Sequence, residues 1–452
     1  TLSSALGSIM AAPRTLQAIA KDDVLPRALA NQLGSPTEPR LAVLVSAAIA
    51  TVVIWAGDLN FVAPIITMFF LNTYGMTNLV AGIEKLVGNP SFRPRFRIHW
   101  SVSILGALGC YGAMFLINPP ATVAAIVTSF GIFALLQRRV LTRTWGDVRN
   151  GIWFTVARWS LLNLEGMTYH ARNWRPNILV FTGQPHNREE LVKVAEWLSM
   201  GRGIVSFVQL LPGPIGKMAG RGLQDTARRQ IRSYIQDHEM AAFASAEIVP
   251  DFYTGAAIVA QAHGVGSLEP NTVLLGWSRS PEGRTSQLQL MDVLVRMRKS
   301  VLFLHLDEAA GFGKKKTIDV WWRGRSGNAD LMLLLAHIVS QHREWRGATV
   351  RLIRVIRSEE GKQQTEAHMR QLLDDVRVVG EPLVLVLPED VSITQVLQKQ
   401  SGKTDLTILG MNRPGDEERA AYSNVLAGLA DAIGTVLFVH SADDEELLDT
   451  EE

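Results

Sequence analysis

The sequence predicts a membrane α-helical front followed by an α/β body, and three observations carry that prediction. Leu41–Gly57, Leu59–Ile83 and Ile98–Gln137 contain no Asp, Glu, Lys or Arg. One helical crossing of a bilayer takes about 20 apolar residues, so the last stretch has room for two, with Pro119-Pro120 as the break between them. Beyond Arg138 charged residues recur throughout, and the apolar runs shorten to strand length.

The elements follow in order. Thr1–Met10 reads as the end of a span, and the chain is expected to be truncated on its N-terminal side, part-way through a membrane helix. Arg14–Arg40 reads as a polar connection punctuated by Pro26, Pro36 and Pro39. Leu41–Gly57 crosses, Asp58 turns and Phe61–Ile83 returns. Glu84–Arg97 is a loop, Ile98–Ile117 crosses, Asn118-Pro119-Pro120 turns, and Ala121–Gln137 ends at Arg138-Arg139. Arg14, Lys21, Arg27 and Arg40 fall in one loop and Lys85, Arg93, Arg95 and Arg97 in another, whereas the intervening turns carry no basic residue. The positive-inside rule puts both basic loops, and everything after Arg138, in the cytoplasm.

Gly7, Gly75, Gly82, Gly106, Gly109 and Gly112 allow close helix contact, and the last three share roughly one face. Asn72, Thr73, Tyr74, Thr77 and Asn78 are polar groups at membrane depth, which face either a cavity or another helix. Ser3 and Ser4 offer neutral oxygens suited to a small hard cation, and Tyr74 offers one O–H donor to a dehydrated anion.

Arg143–Arg175 is a bridge in which Trp145, Trp153, Trp159 and Trp174 mingle with Arg149, Arg158, Arg172 and Arg175. Its helix suits either the headgroup region or packing on the chain's own cytoplasmic body, and packing is the expectation. After Pro176, β-rich runs appear at Asn177–Thr182, Ile204–Leu211, Ala241–Val249, Thr272–Trp277 and Val301–Leu306. A second series occupies Ile318–Trp322, Ala348–Ile356, Leu383–Leu387, Leu406–Leu409 and Thr435–His440. Helical segments separate most of them: Arg188–Met200, Asp225–Asp237, Leu288–Lys299, Ala329–His342, Gln363–Val376 and Glu417–Ala432. Alternation of this kind implies a parallel sheet with helices on both faces, here in two related halves. Leu210–Arg221, rich in Gly and Pro, is expected to be the least structured part. The domain plan is therefore 1–139 in the membrane, 140–175 as linker, and α/β subdomains at 176–312 and 313–452.

Lys and Arg number 45 against 43 Asp and Glu, and the tail Asp443–Glu452 is acidic, so the balance gives no reason to expect nucleic acid. Cys110, the one cysteine, excludes an internal disulfide and any cysteine-based metal site. No catalytic constellation or cofactor motif is present. Gly213–Lys217 and Gly311–Lys316 lack phosphate-loop spacing, and His337 and His342 are five apart, off a common helix face. Gly410–Gly415 follows a strand and is a candidate for approach to a nucleotide phosphate.

Several segments resemble the cation–chloride cotransporter family, within the amino acid–polyamine–cation transporter superfamily. Ala12–Asp23 resembles the loop after that family's eighth helix. Asp58–Asn60, Ala63-Pro64-Ile65 and Phe69-Phe70-Leu71 resemble the start of its tenth, and Arg93-Pro94-Arg95-Phe96 the loop that follows. Trp145-Gly146-Asp147, Arg172–Pro176, Asn271–Trp277 and Thr317–Trp322 are similar to landmarks of its cytoplasmic domain. The resemblance implies the last part of the eighth helix and helices nine to twelve of an inverted-repeat LeuT-type transporter, then a cytoplasmic domain with two universal-stress-protein-like halves that supports homodimers. Helices one, three and six would be missing, and a fragment of this kind would not transport by itself. It further implies electroneutral symport of chloride with potassium at the plasma membrane, with Ser3 and Ser4 as sodium ligands and Tyr74 as a chloride ligand. The cytoplasmic motifs look at least as close to the potassium–chloride branch, and Arg323–Gly327 replaces an acidic, glycine-rich segment usual in the family, so sodium dependence rests on Ser3 and Ser4. An amino-acid or polyamine permease, and a nucleotide-binding or dimerising regulatory module, stand as alternatives.

Overall fold

The computed structural model describes residues 2–21, 25–30, 39–57, 59–88, 92, 94, 98–137, 148–167, 174–323 and 328–442. The turn expected at Asp58, the basic residues Arg93, Arg95, Arg97, Arg138 and Arg139, the motif Trp145–Asp147 and the acidic tail lie outside the described residues. The chain divides into two compact units, Thr1–Ser160 and Leu161–Glu452.

The first unit is helical: α1 (Leu2–Lys21), α2 (Arg40–Ala56), α3 (Leu59–Val87), α4 (Trp100–Ile117) and α5 (Pro119–Gln137), with α6 (Val148–Glu165) leading out of it. α1 runs through Pro13 as far as Lys21, which corrects the expected start of a polar connection at Arg14. The eight residues after Pro13 are mostly good helix formers, and their backbone bonds outweigh the one that proline removes. α5 begins on Pro119, whose missing N–H belongs to a first turn that needs none.

Among the described residues, Trp100–Ile117 is the one helix both long and apolar enough to cross a membrane; Arg40–Trp55 and Pro119–Ala134 are apolar but shorter. α3 has the length, and Asn72, Thr73, Tyr74, Thr77 and Asn78 dilute its hydropathy. Exposed Leu44, Ile54, Trp55, Leu105, Leu116 and Phe130 give these helices an apolar outer surface. α3 and α4 pack closely at Gly82, where an added Cβ would stand 2.7 Å from Ile104 Cδ1, and at Gly75, where it would stand 3.0 Å from the Tyr111 ring. Gly106 faces Asn78, but Gly109 and Gly112 meet open space. The single glycine face is thus not formed: steps of three residues turn a helix by about 300°, so each glycine drifts about 60° from the last. On α6, Trp153 and Phe154 are exposed.

The second unit is built on one ten-stranded sheet. The first series is β1 (Asn177–Phe181), β2 (Ile204–Pro212), β3 (Phe243–Val249), β4 (Thr272–Gly276) and β5 (Ser300–His305). The second is β6 (Thr317–Trp321), β7 (Thr349–Ile356), β8 (Glu381–Val386), β9 (Leu406–Gly410) and β10 (Val436–His440). The order is β3-β2-β1-β4-β5-β10-β9-β6-β7-β8. Within each half all pairings are parallel and the order is the same, third-second-first-fourth-fifth. The halves join antiparallel through their fifth strands, with Phe303 opposite Phe438. This pairing makes the two segments one sheet, related by a pseudo-twofold at its centre.

α7 (Glu189–Ser199), α9 (Leu223–Asp237), α12 (Ala329–Gln341) and α13 (Lys362–Asp375) cover one face; α10 (Phe252–Ala262), α11 (Pro281–Arg296), α14 (Ile393–Ser401) and α15 (Arg419–Ile433) cover the other. Strand alternation sorts the core: Ile178, Val180, Leu302 and Leu437 face the first layer, and Leu179, Phe181, Phe303 and Phe438 the second. Trp197 and Trp345, one from each half, pack edge to face at 5.3 Å. Leu210–Arg221 holds more structure than expected, since β2 extends to Pro212 and Ile215–Met218 makes a helical turn (α8).

Candidate functional site

In the helical unit the polar residues of α3 divide by face. Asn72 is 5% exposed and links three helices: its Nδ2 donates to Ser129 Oγ on α5 at 2.7 Å, and its Oδ1 accepts from Tyr111 Oη on α4 at 3.2 Å. Thr122, fully buried, donates from Oγ1 to Met114 O at 2.7 Å, tying the top of α5 to the end of α4. Thr73 and Thr67 bond back to carbonyls four residues earlier in their own helix, and Asn78 Nδ2 donates to Tyr74 O. Asn72 therefore bridges helices, and Asn78 satisfies itself locally. A cavity of about 580 Å³ opens beside Asn72, Thr73, Thr77 and Ser129.

Tyr74 lies two residues, about 200° of helix rotation, from Asn72. It is 59% exposed. The dry enclosure expected around its hydroxyl is not supplied by the described residues. Ser3 and Ser4 lie within the backbone of α1, and their side chains fall outside the described residues.

In the α/β unit a crevice of about 970 Å³ opens at the carboxyl ends of β1, β4 and β5. The sheet order reverses between β1 and β4, with α7 leaving to one face and α11 to the other, and a switch point of this kind is where open α/β sheets place ligands. Gln287, 4% exposed, shapes the floor: its Oε1 accepts from Ser278 N at 2.8 Å and its Nε2 donates to Gly276 O at 2.6 Å. Tyr253 donates to Gly283 O at 3.1 Å, and burial raises its phenol pKa. Two cations, Arg188 and Arg279, line the crevice with two anions, Glu190 and Glu308, and Arg279 pairs with Glu308.

The other loops singled out in sequence are spoken for. Asp405 accepts from the backbone N–H groups of Lys314, Lys316 and Thr317 at 2.7 to 3.0 Å and from Thr317 Oγ1 at 3.1 Å. Gly311–Lys316 therefore already holds an internal carboxylate; burial alone would raise its pKa, and these bonds outweigh that and hold it down. Beyond Gly410, Met411 N donates to Val439 O and Asn412 N to Tyr422 Oη, so the first two donors of the turn are already used. Among the described residues no group of His, Cys, Asp and Glu is placed to hold a metal. α10, α14 and the crevice itself were missed in the sequence; the paired charges and Gln287 are scattered over 120 residues with no motif.

Residues 1–180 match the family profile of amino acid permeases. Residues 188–292 and 306–396 match that of solute carrier family 12. Cation-chloride cotransporter 1 of Oryza sativa is 30% identical over 445 residues, 94% of this chain and 43% of that protein. Potassium/chloride cotransporter 3 of Caenorhabditis elegans is 26% identical over 88% of this chain and 39% of its own length. The chain belongs to the cation–chloride cotransporter family. It spans about two fifths of the length of these curated relatives. Among solved structures, the cytoplasmic domain of a prokaryotic cation chloride cotransporter aligns at 17% identity and a TM-score of 0.47, over 61% of this chain and 99% of its own. A universal stress protein from Archaeoglobus fulgidus aligns at 12% identity and a TM-score of 0.38, over 60% of this chain and 98% of its own.

Proposed function

We propose that this chain is part of a secondary transporter in the plasma membrane that moves chloride together with potassium, with sodium as a further cation through Ser3 and Ser4. The observation that carries this is the similarity to cation–chloride cotransporters across both units, 94% of the chain, with helical boundaries that fit the apolar stretches. No bond is made or broken. The ion gradients rock one set of helices against another around a midplane site, as in inverted-repeat LeuT-type transporters, and the α/β unit lies in the cytoplasm. A neutral sum of charges makes the cycle insensitive to voltage. Tyr74 serves as a chloride donor in this scheme, and its open side faces parts of the transporter beyond these residues. By itself the chain does not transport.

The test is chloride-dependent rubidium uptake by the intact transporter in vesicles, with and without sodium. Uptake indifferent to chloride overturns the proposal, and uptake of amino acids or polyamines instead would make it a permease of the wider superfamily. Ser3→Ala with Ser4→Ala should abolish sodium activation, and Tyr74→Phe should raise the chloride concentration needed for half-maximal uptake.

A second reading concerns the α/β unit. The crevice at the β1/β4 switch point favours a nucleotide ligand there, in a regulatory role compatible with transport. Calorimetry with ATP tests it; no binding heat leaves the unit a dimerising module. The homodimer, through both the cytoplasmic and the membrane parts, belongs to the same proposal, with light scattering of the purified protein in detergent as its test.

A further inference from the structure

The pseudo-twofold gives the second half a switch point of its own. β6 and β9 occupy the places of β1 and β4, α12 leaves β6 toward one face, and α15 follows β9 on the other. Between them a crevice of about 580 Å³ opens at the carboxyl ends of β6, β7 and β9. That volume falls within the range of small-ligand cavities, roughly 300 to 1,000 Å³.

Its chemistry differs from that of the first crevice. The floor is apolar: Trp321 lies with Leu397, Leu409, Leu426 and Leu429. Arg323 and Arg354 line it, and among the described residues no Asp or Glu does. The Arg354 guanidinium lies 5.3 Å over the ring of Trp322, which orients it without neutralising it. Among the described residues no carboxylate pairs with Arg354 or Arg323, whereas in the first crevice Arg279 has Glu308. The Tyr422 hydroxyl oxygen accepts from Asn412 N at 2.7 Å, which leaves its proton for another acceptor.

The walls are rigid. Trp321 Nε1 donates to Ser401 Oγ at 3.0 Å, and Ser401 Oγ donates to the buried Asp319 carboxylate at 2.5 Å. Asn328, at the start of α12, spends Nδ2 on Met411 O and Oδ1 on Ser441 N, both at 2.7 Å. The N–H groups of Met411 and Asn412, the first two of the turn after β9, are also used. An anion here is held by side chains.

We infer that this second crevice binds a small organic anion: an apolar ring on the floor formed by Trp321 and Leu429, and a single carboxylate or phosphate monoester held by Arg354 and Arg323 with Tyr422 as a third donor. Such a ligand is neither a transported ion nor a nucleoside triphosphate. A charge-assisted bond to a guanidinium in a partly dry site supplies the affinity, and the apolar floor supplies the selection against free inorganic anions.

The test is isothermal titration calorimetry of the purified full chain in detergent with phenyl phosphate as probe. Saturable binding at one site is expected, with inorganic phosphate at least tenfold weaker. Arg354→Gln should weaken phenyl phosphate binding at least tenfold, and Arg188→Gln in the first crevice should leave it within twofold. Arg354 also packs on Trp322, so Val425→Glu is the companion variant: Val425 is an exposed wall residue, and the new carboxylate should repel the probe without disturbing the core. Equal affinity for inorganic phosphate, loss of binding in Arg188→Gln with retention in Arg354→Gln and Val425→Glu, or no binding of phenyl phosphate would each overturn the inference.

Discussion

Replacing Asp319 by Ala should be among the most damaging single changes in the α/β unit. Asp319 sits at the centre of β6, fully buried, on the side that meets α14. Its carboxylate accepts two bonds from Arg351, Nε and Nη2, both at 2.7 Å, one from Ser401 Oγ at 2.5 Å and one from Thr404 Oγ1 at 2.7 Å. Removing it leaves a guanidinium three-quarters out of solvent without its anion and two hydroxyls without their acceptor. Breaking a buried pair from one side costs about 3–5 kcal/mol. With a urea slope of about 3 kcal/mol per molar for a unit of this size, the midpoint should fall by about 1 M or more. The assay is urea unfolding of the full chain in detergent, followed by near-ultraviolet circular dichroism, which reports packing of the tryptophans. The double variant Asp319→Leu with Arg351→Met removes both charges and should recover more than half of the loss, because the penalty comes from the stranded cation. A midpoint within about 0.3 M of the parent for Asp319→Ala, or a double variant worse than the single, would refute this reasoning.

In the helical unit, Asn72→Leu should lower stability in detergent by about 1 kcal/mol, read by thermal scanning, since bonds between membrane helices are worth about that; Thr73→Val, whose hydroxyl only bonds back to its own helix, should change little. Gly82→Leu should be worse than Gly109→Leu, because an added Cβ at Gly82 meets Ile104 whereas at Gly109 it meets open space; the same scan checks the ranking. Acidification should destabilise the α/β unit. Burial holds His263, His305, His337, His342 and His440 below the ordinary histidine range. The unfolded chain therefore binds more protons as pH falls through about 6.5, so this contribution is present above that value and is lost below it. The urea midpoint should drop between pH 7.5 and 5.5, and a rise would contradict the histidine environments.

The ten strands were legible because each is a short β-branched or apolar run set off by turn residues, and Ile318–Trp322 or Thr435–His440 could be placed to within about two residues. α10 was not: Phe252–Ala262 is apolar around much of its circumference and shows little of the period that marks a surface helix. α14, at nine residues, is too short for a periodicity to emerge, although Ser392 and Gln395 form a capping box at its start. The joining of the halves was also hidden, because nothing in Val301–Leu306 or Thr435–His440 states that these two strands would pair with one another. Polar residues at membrane depth were visible in Asn72–Asn78, but the division between bridging Asn72 and exposed Tyr74 depends on which side α4 and α5 occupy. The two crevices assemble residues such as Arg354, Tyr422 and Trp321 from separate elements, and no local pattern announces them.

The most direct test of the proposed cotransport is uptake of radioactive chloride into proteoliposomes holding the intact transporter, driven by an inward potassium gradient while the membrane potential is clamped. Chloride should accumulate only when a permeant alkali cation is present, and at a rate unchanged between clamped potentials. Chloride entry without that cation, or entry that follows the imposed voltage, would contradict electroneutral cation–chloride coupling.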